Sequence, residues 1–348
     1  MLSNSIHMLK AQYCPYQLRF RFEARTSRAT MRIKDTYFIR LYDTTAPSVT
    51  LGIGECALFR GLSAEDCPDY EAQLASACLS PQKALDSSYS SIRFGFETAL
   101  STLSPSAWLL GKSGIPTNGL VWMGDKATMA ERIDTKIEQG FRVLKLKIGG
   151  IDFEDEVALL DSIRRRYSPE TLEIRLDANG SFSTENAKER LGRLAEFSIH
   201  SIEQPLKAGQ TEAMAALCRT SPIPIALDEE LIGCRSEEEA RKLVEDIMPQ
   251  YLILKPSLCG GFAKADDYIR IATSLGIGWW ATSALESNVG LLAIAAWVAA
   301  KDPAIPQGLG TGMLYYNNVE SPLEMHGNSL YFNPARPAPN IDALPWRN

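Results

Sequence analysis

From about residue 115 onward, hydrophobic positions follow two alternating patterns. Short apolar runs of strand type are separated by longer runs with the apolar spacing of helices. The strand runs are residues 117–122, 142–148, 172–177, 199–204, 224–228, 251–255, 278–282 and, more weakly, 308–312. The helical runs are residues 126–139, 153–167, 184–197, 212–219, 236–246, 263–275 and 288–300. This alternation predicts an α/β fold: a modified (β/α)8-type barrel with one helix altered or lost.

The first 112 residues have a different pattern. Strand-like runs at 17–24, 36–42 and 48–54 are followed by helical runs at 70–77 and 90–103. We therefore expect an N-terminal α+β capping domain over residues 1–112 and a catalytic barrel over 113–318. The tail, residues 319–348, is rich in Pro and Asn, and we expect it to pack back on the capping domain.

Composition narrows the class of protein. The chain has 348 residues and a net charge of −6 without a Lys/Arg run, which disfavours a nucleic-acid partner. Its longest apolar stretch, residues 289–300, is too short to cross a bilayer, so no membrane partner is expected. The N-terminal residues lack the apolar core of a signal peptide, and we expect a cytoplasmic protein. The oligomeric state stays open.

Histidine and cysteine usage excludes several kinds of site. The chain has three His and seven Cys, without paired ligand spacing and without a CxxC motif. A zinc site, a disulfide framework and a histidine-based triad are therefore disfavoured.

Charged residues lie on the inward face of the predicted strands. In Val143–Ile148, leucine alternates with Lys145 and Lys147, so both lysines point away from the apolar face that contacts the helices. Lysine is rare in strands and seldom buried without a partner. The same parity turns further charged residues inward at the ends of the following strands: Asp177, Glu203, Asp228 and Lys255.

These residues recur once per βα repeat. Starting at Lys147, the successive intervals are 30, 26, 25 and 27 residues. Each residue lies at the carboxyl end of its strand, the end at which barrel active sites form. A single acidic residue there is commonly a helix cap or a salt-bridge partner. Five at matched parity predict one shared pocket.

Three converging carboxylates favour a hard divalent cation, because close like charges do not all stay ionised without one. We expect Mg²⁺, with Mn²⁺ as a substitute. Lysines on either side of a bound small-molecule carboxylate can act on its α-proton while the cation stabilises the enediolate. Asn179 and Glu229 follow two of the carboxylates and are either supporting partners of the site or loop caps.

These motifs resemble the enolase superfamily, in its muconate-lactonizing subgroup, over almost the whole chain. They are Lys145-Leu-Lys147, Asp177-Ala-Asn179-Gly180, Glu203-Gln-Pro205, Asp228-Glu229 and Lys255-Pro256, with Gly52-Ile-Gly54-Glu55 and Arg93-Phe-Gly-Phe-Glu97 in the capping domain. The resemblance implies a capping domain that closes a modified barrel. It also implies one Mg²⁺ held by Asp177, Glu203 and Asp228, with Lys147 and Lys255 as acid/base lysines.

Within that superfamily, residues 282–290 and Gly308-Leu-Gly310-Thr311-Gly312 are similar to the o-succinylbenzoate synthase family of menaquinone biosynthesis. This resemblance implies a lyase that carries out a syn dehydration. Lys147 would remove the α-proton and deliver it to the departing hydroxyl, while Lys255 would stabilise the enediolate. The substrate contacts expected are Arg28, in a lid-like turn at 26–28, and Ser283, Glu286, Gly310 and Thr311. A purely structural role as loop-turn residues stays open for the latter four.

Other reactions use the same two lysines. N-succinylamino acid racemization is the main alternative that sequence alone separates poorly. A dipeptide epimerase would be expected to show Asp-x-Asp near the eighth strand, where this chain has Gly310-Thr311-Gly312. A muconate cycloisomerase is less favoured by the loops after the seventh and eighth strands. A barrel that has lost catalysis is disfavoured by the five intact charged positions.

Overall fold

The computed structural model describes residues 9–25, 30–101 and 106–348. The N-terminal part has one antiparallel sheet in the order β1-β2-β3, formed by β1 (Leu9–Arg25), β2 (Thr30–Asp43) and β3 (Gly52–Cys56). Two helices, α1 (Tyr70–Cys78) and α2 (Ser90–Leu100), cover it. The predicted turn at 26–28, with Arg28, lies outside the described residues.

Two glycines let α2 lie directly against β3. A Cβ on Gly54 would collide with the carbonyl oxygen of Gly95, and a Cβ on Gly52 with that of Ala99. This close contact helps to bury the side chains of Phe96 and Leu58 in the capping-domain core. The sheet and the helix therefore form one layered unit, in agreement with the α+β prediction.

The second part is a curled sheet of parallel strands. In the described residues it contains seven strands in sequential order: β5 (Gly119–Val121), β6 (Val143–Lys147), β7 (Glu173–Asp177), β8 (Ser201–Glu203), β9 (Ile225–Leu227), β10 (Tyr251–Leu254) and β11 (Gly278–Ala281). The helices are α3 (Lys126–Glu138), α4 (Phe153–Arg164), α5 (Ala187–Ala195), α6 (Thr211–Thr220), α7 (Glu237–Ile247), α8 (Pro256–Cys259), α9 (Gly261–Leu275) and α10 (Asn288–Ala299). No helix among the described residues is long and apolar enough to cross a membrane.

Strand parity separates the helix-facing core from the barrel interior. Leu144, Leu146, Ile174 and Leu176 belong to the large apolar cluster between strands and helices. Their charged neighbours point the other way, into the barrel. Deep in the interior, Arg175 lies with its guanidinium carbon 4.4 Å from the centre of the Trp280 ring.

The predicted eighth strand is reduced to single bridges. Gly308 pairs with Thr282 and Gln307 pairs with Thr117, so residues 307–308 close the ring between β11 and the start of β5. Glycine has low strand propensity, and the three glycines in residues 308–312 explain why no longer strand forms there.

The tail contacts both parts of the molecule. Its strands β12 (Leu323–His326) and β13 (Ser329–Phe332) form a hairpin, and β13 pairs with β4 (Ile115–Pro116) at the entry to the barrel. Farther on, Tyr13 and Arg347 exchange two backbone hydrogen bonds, and Ile341 packs near Phe38 of β2.

Candidate active site

The five predicted charged residues come together at the carboxyl ends of β6 to β10. Lys147 is the direct cross-strand neighbour of Asp177, which in turn pairs with Glu203. Asp228 and Lys255 follow the last residues of β9 and β10. All five are at most 9% exposed. The structure therefore brings together the residues that the βα spacing predicts to be neighbours.

The lysine ammonium groups lie among the carboxylates. Lys145 Nζ is 2.8 Å from Asp177 Oδ2 and 2.5 Å from Glu203 Oε2. Lys147 Nζ is 2.6 Å from the same Asp177 oxygen. On the other side, Lys255 Nζ donates to Asp228 Oδ2 and lies 3.6 Å from Glu203 Oε1.

Burial and charge pull the carboxylate pKa values in opposite directions. The pKa of Glu203 rises to about 7, because burial and the adjacent charge of Asp177 outweigh the nearby lysines. Burial is also the largest cause of the raised pKa of Asp228. Burial would raise the pKa of Asp177 too, but Lys145 and Lys147 hold it well below its usual range.

Lys145 and Lys255 stay charged because the nearby carboxylates outweigh the effect of burial on their pKa values. Burial would lower the pKa of Lys145, but Asp177 and Glu203 reverse this and raise it. The pKa of Lys255 is likewise raised, because Asp228 and other carboxylates outweigh its burial. Buried charges of both signs stabilise one another here.

The donor set fits a hard divalent cation. Three carboxylates at adjacent strand ends supply the oxygen ligands that Mg²⁺ prefers. Buried Glu203 Oε1 accepts no hydrogen bond from any described residue. Within residues 9–25, 30–101 and 106–348, no three acidic, His or Cys side chains are already gathered as a metal site, since lysines lie between the carboxylates. The fit therefore rests on donor chemistry and burial.

Asn179 and Glu229 connect the two sides of the cluster. Lys147 Nζ donates to Asn179 Oδ1 at 2.8 Å, and Asn179 Nδ2 donates to Glu229 Oε1 at 3.1 Å. Asn179 has a φ of 47°, a left-handed conformation that asparagine tolerates better than most residues. Of the two interpretations left open for these residues, the contacts favour supporting partners of Lys147.

Gln204 also helps to build the site, although the sequence analysis did not predict a role for it. Its buried side chain accepts from the backbone N–H of Asp228 at 3.1 Å and donates to the carbonyl of Leu206 at 2.9 Å. It thereby fixes the end of β9 against the end of β8. Its position beside Glu203 in the Glu-Gln-Pro motif was the available signal.

A cavity of about 350 Å³ lies above the charged cluster. Both parts of the chain line it, and the capping domain supplies Met31 and residues 59–62, including Arg60. Lys147 and Lys255 reach the cavity from β6 and β10, four strands apart on opposite sides of the ring. A substrate in this cavity would lie between the two amines.

The wall opposite the carboxylates carries several uncharged polar residues. Asn118, Thr282 and Thr311 line the cavity, and Asn118 Oδ1, Thr282 Oγ1 and Thr311 Oγ1 are buried without a hydrogen-bond partner among the described residues. These three side chains, here termed the neutral arc, lie around the closing segment 307–308. Buried polar atoms without partners cost stability, so the arc is suited to a polar ligand.

The predicted substrate contacts have different positions. Ser283, Gly310 and Thr311 line the cavity, whereas Glu286 is fully buried and does not line it. Arg28 lies outside the described residues. Sequence reasoning missed Asn118, Trp122 and the capping-domain residues of the cavity wall; Asn118 lies in the first predicted barrel strand, where a polar side chain was the available signal.

Comparison with known proteins identifies the family. The model of the family described as Enolase C-terminal domain-like matches residues 128–336. The chain belongs to the enolase superfamily. Members of this superfamily use a divalent metal, which agrees with the donor set at β7 to β9.

Comparison with individual relatives narrows the assignment within the enolase superfamily. It is 43% identical to an o-succinylbenzoate synthase of Desulfotalea psychrophila, over 92% of this chain and 98% of the relative. The crystal structure of MenC from the same organism superposes with a TM-score of 0.78 at 40% identity, covering 93% of this chain and 99% of that one. The chain therefore belongs to the family of o-succinylbenzoate synthases.

A second group of relatives matches only part of the chain. An N-succinylamino acid racemase of Thermus thermophilus is 35% identical over 45% of this chain and 40% of its own length.

Proposed function

We propose that this chain is an o-succinylbenzoate synthase that dehydrates 2-succinyl-6-hydroxy-2,4-cyclohexadiene-1-carboxylate to 2-succinylbenzoate in menaquinone biosynthesis. The observation that carries the proposal is the pair Lys147 and Lys255, which reach one cavity from opposite sides above three carboxylates. The identity of 43% to an o-succinylbenzoate synthase over nearly the full length supports it.

Lys147 is the proposed acid/base. Its amine takes the proton from the ring carbon that bears the carboxylate, and the electron pair left behind forms the enediolate. The C–O bond at the neighbouring carbon then breaks, and Lys147 gives its proton to the departing hydroxyl, which leaves as water. One residue on one face performs both transfers, as a syn dehydration requires. Asn179 holds the amine through the 2.8 Å contact.

Lys255 is the proposed electrostatic partner on the opposite face. The carboxylates around it raise its pKa, so its ammonium stays charged. A fixed positive charge beside the enediolate lowers the barrier to its formation.

Asp177, Glu203 and Asp228 are the proposed ligands of one Mg²⁺, with Mn²⁺ as a substitute. When bound, the cation supplies positive charge that favours enediolate formation at the substrate carboxylate. Lys145, which contacts Asp177 and Glu203, balances the buried negative charge behind them.

The neutral arc orients the other end of the substrate. With the ring carboxylate at the charged side, the succinyl group extends toward Asn118, Thr282 and Thr311. The two threonine hydroxyls can donate the hydrogen bonds that a ketone or carboxylate oxygen accepts. Ser283 and the Gly310-Thr311 backbone complete that wall.

Location and partners follow from composition. Seven cysteines without a disulfide fit a reducing compartment, so we place the reaction in the cytoplasm. The net charge of −6 disfavours a nucleic-acid partner. The cavity beside Lys147 and Lys255 is suited to a small-molecule carboxylate.

The test is conversion of the cyclohexadiene substrate, followed by ultraviolet absorbance. The protein is treated with a chelator and then assayed with Mg²⁺, with Mn²⁺ and with no metal added. Metal-dependent formation of 2-succinylbenzoate is expected. Absence of product at saturating Mg²⁺ would contradict the proposal.

N-succinylamino acid racemization is the second candidate. Amines on both faces of the cavity are the arrangement that proton exchange at a carbon centre needs, and a named racemase matches part of the chain. Polarimetry with N-succinyl amino acids tests it in parallel. A higher kcat/KM for these compounds than for the cyclohexadiene would favour the racemase.

A further inference from the structure

Glu286 is a buried carboxylate that the reaction above does not use. Its side chain is 0% exposed and lies behind the cavity wall. Glu286 Oε1 accepts from Ser257 Oγ at 2.5 Å, and Oε2 accepts from Ser283 Oγ at 2.6 Å. Burying a carboxylate is costly unless it is hydrogen-bonded or paired, and the two serine hydroxyls supply such hydrogen bonds to Glu286.

Both serines adjoin the reaction site. Ser283 lines the cavity, and Ser257 lies in α8, two residues after Lys255. Both serine hydroxyls donate to Glu286, and a serine hydroxyl has one hydrogen to donate. The oxygen of Ser283 is then left to accept, and it does so from the backbone N–H of Leu285 at 3.0 Å.

The backbone conformation of Leu285 depends on this hydrogen bond. It lines the cavity with a φ of 65°, in the left-handed region that costs a non-glycine residue about 1 kcal/mol. Two hydrogen bonds hold it there: its N–H donates to Ser283 Oγ, and its carbonyl accepts from Tyr315 Oη at 2.7 Å. The shape of this wall therefore depends on the orientation of the Ser283 hydroxyl.

The same loop is fastened to the capping domain. Buried Glu55 accepts from Ser287 N at 2.9 Å, from Ser287 Oγ at 2.6 Å and from Gly290 N at 2.9 Å. Buried Lys34 of β2 places its positive charge near both Glu55 and Glu286. The loop from Ser283 to Ser287 is thus held from behind by two buried carboxylates.

We propose that Glu286 is a positioning residue that orients the Ser283 hydroxyl and thereby holds Leu285 in the cavity-wall conformation that the reaction needs. Its contact with Ser257 ties the same carboxylate to the helix that follows Lys255. The expected effect on turnover rests on the proposed function, whereas the expected effect on the loop does not.

The experiment is a double-mutant cycle of Glu286→Gln and Ser283→Ala. The glutamine keeps the size of the side chain but presents an N–H group to one of the serines, which disturbs the hydroxyl orientation. We expect kcat/KM for the cyclohexadiene to fall about 10- to 100-fold in each single variant, the size of effect that small misplacements cause. The double variant is expected to lose much less than the product of the two losses, because both act through one hydroxyl.

Amide hydrogen exchange at Leu285 is the second readout. Exchange is expected to accelerate in Glu286→Gln and in Ser283→Ala, because each weakens the bond that Leu285 N–H makes. This measurement needs no substrate. If the wild type does not convert the cyclohexadiene, the proposed function fails, and Leu285 exchange still decides the positioning role.

Glu97→Gln is the matched control. Glu97 is another largely buried carboxylate that accepts two hydrogen bonds, from Phe262 N and Ala263 N, but it does not line the cavity. We expect it to lose stability while kcat/KM and Leu285 exchange stay as in the wild type. The inference would be overturned if Glu286→Gln left Leu285 exchange unchanged. It would also be overturned if the kcat/KM losses of Glu286→Gln and Ser283→Ala multiplied in the double variant.

Discussion

The hydroxyl of Thr311 illustrates, at the scale of one residue, how this site trades stability for binding. Thr311 lines the cavity and is 3% exposed, and its buried hydroxyl has no hydrogen-bond partner among the described residues. Thr311→Val removes that hydroxyl at almost constant shape. We expect the free energy of unfolding to rise by about 1 kcal/mol, because a buried polar atom without a partner is lost. We expect kcat/KM to fall, since the substrate loses a hydrogen bond. Urea unfolding and steady-state kinetics measure the two effects.

Thr117→Val is the control for this prediction. Thr117 is equally buried, but its hydroxyl donates to the carbonyl of Ile115 at 3.0 Å. Its replacement should destabilise the fold and leave kcat/KM unchanged. If Thr311→Val were destabilising and fully active, the neutral arc would have no role in substrate binding.

The charged residues of the site were predictable because strand parity and repeat spacing are local properties. Lys147, Asp177 and Glu203 each end a strand with the same parity, and the sheet register brings them side by side. The role of Glu286 was not predictable in this way. Its effect on the cavity passes through the orientation of the Ser283 hydroxyl, which no sequence pattern records, and its second partner, Ser257, is 29 residues away.

At the scale of elements, α4 holds the loop that follows the strand of Lys147. Glu156 on α4 accepts from Gly149 N at 2.5 Å, and burial raises the pKa of this carboxyl from 4.5 to about 7. The folded chain therefore binds this proton more tightly than the unfolded chain does. The resulting stability is fully present below pH 4.5 and is lost as the pH rises through about 7.

Glu156→Gln removes this titration and keeps an acceptor for Gly149 N. We expect wild-type stability, relative to the variant, to decline by up to about 3 kcal/mol between acidic and weakly alkaline pH. Urea unfolding of both proteins across that range measures the difference. A difference that does not change with pH would contradict the assigned pKa shift.

The contact between β3 and α2 gives a second prediction at this scale. Gly54→Ala would drive a Cβ into the carbonyl oxygen of Gly95, and we expect a loss of about 1–3 kcal/mol or more of stability. Gly192→Ala is the control: this glycine lies in α5 with no atom within 4 Å of the added Cβ. It should gain about 0.5–1 kcal/mol from helix propensity. Thermal unfolding distinguishes the two, and equal effects would contradict the close packing.

At the scale of the whole molecule, the capping domain is joined to the barrel by two carboxylates at helix N-termini. Glu55 receives the first N–H groups of α10, and Glu97 receives those of α9. Carboxylates are favourable at these positions because the N-terminal N–H groups have no partners within the helix. These contacts join the two parts of the chain that line the cavity.

The sequence predicted the family and the barrel with its cap, and the comparisons confirm both. The order of strands followed from the alternation of patterns, because consecutive βα units lie side by side. The contacts between the capping domain and the barrel could not be predicted from the sequence pattern, since Glu55 and Ser287 are 232 residues apart. The eighth strand was predicted too long, because glycines around residue 310 leave only bridges.

The central claim is that Lys147 moves the proton in a metal-dependent dehydration. The most direct measurement is single-turnover conversion of the cyclohexadiene by the Lys147→Ala variant at saturating Mg²⁺, with folding checked by circular dichroism. We expect the single-turnover rate to be about 10²- to 10⁴-fold below that of the wild type, which is the range for loss of a general acid/base. A folded variant that converts the substrate at the wild-type rate would contradict the mechanism.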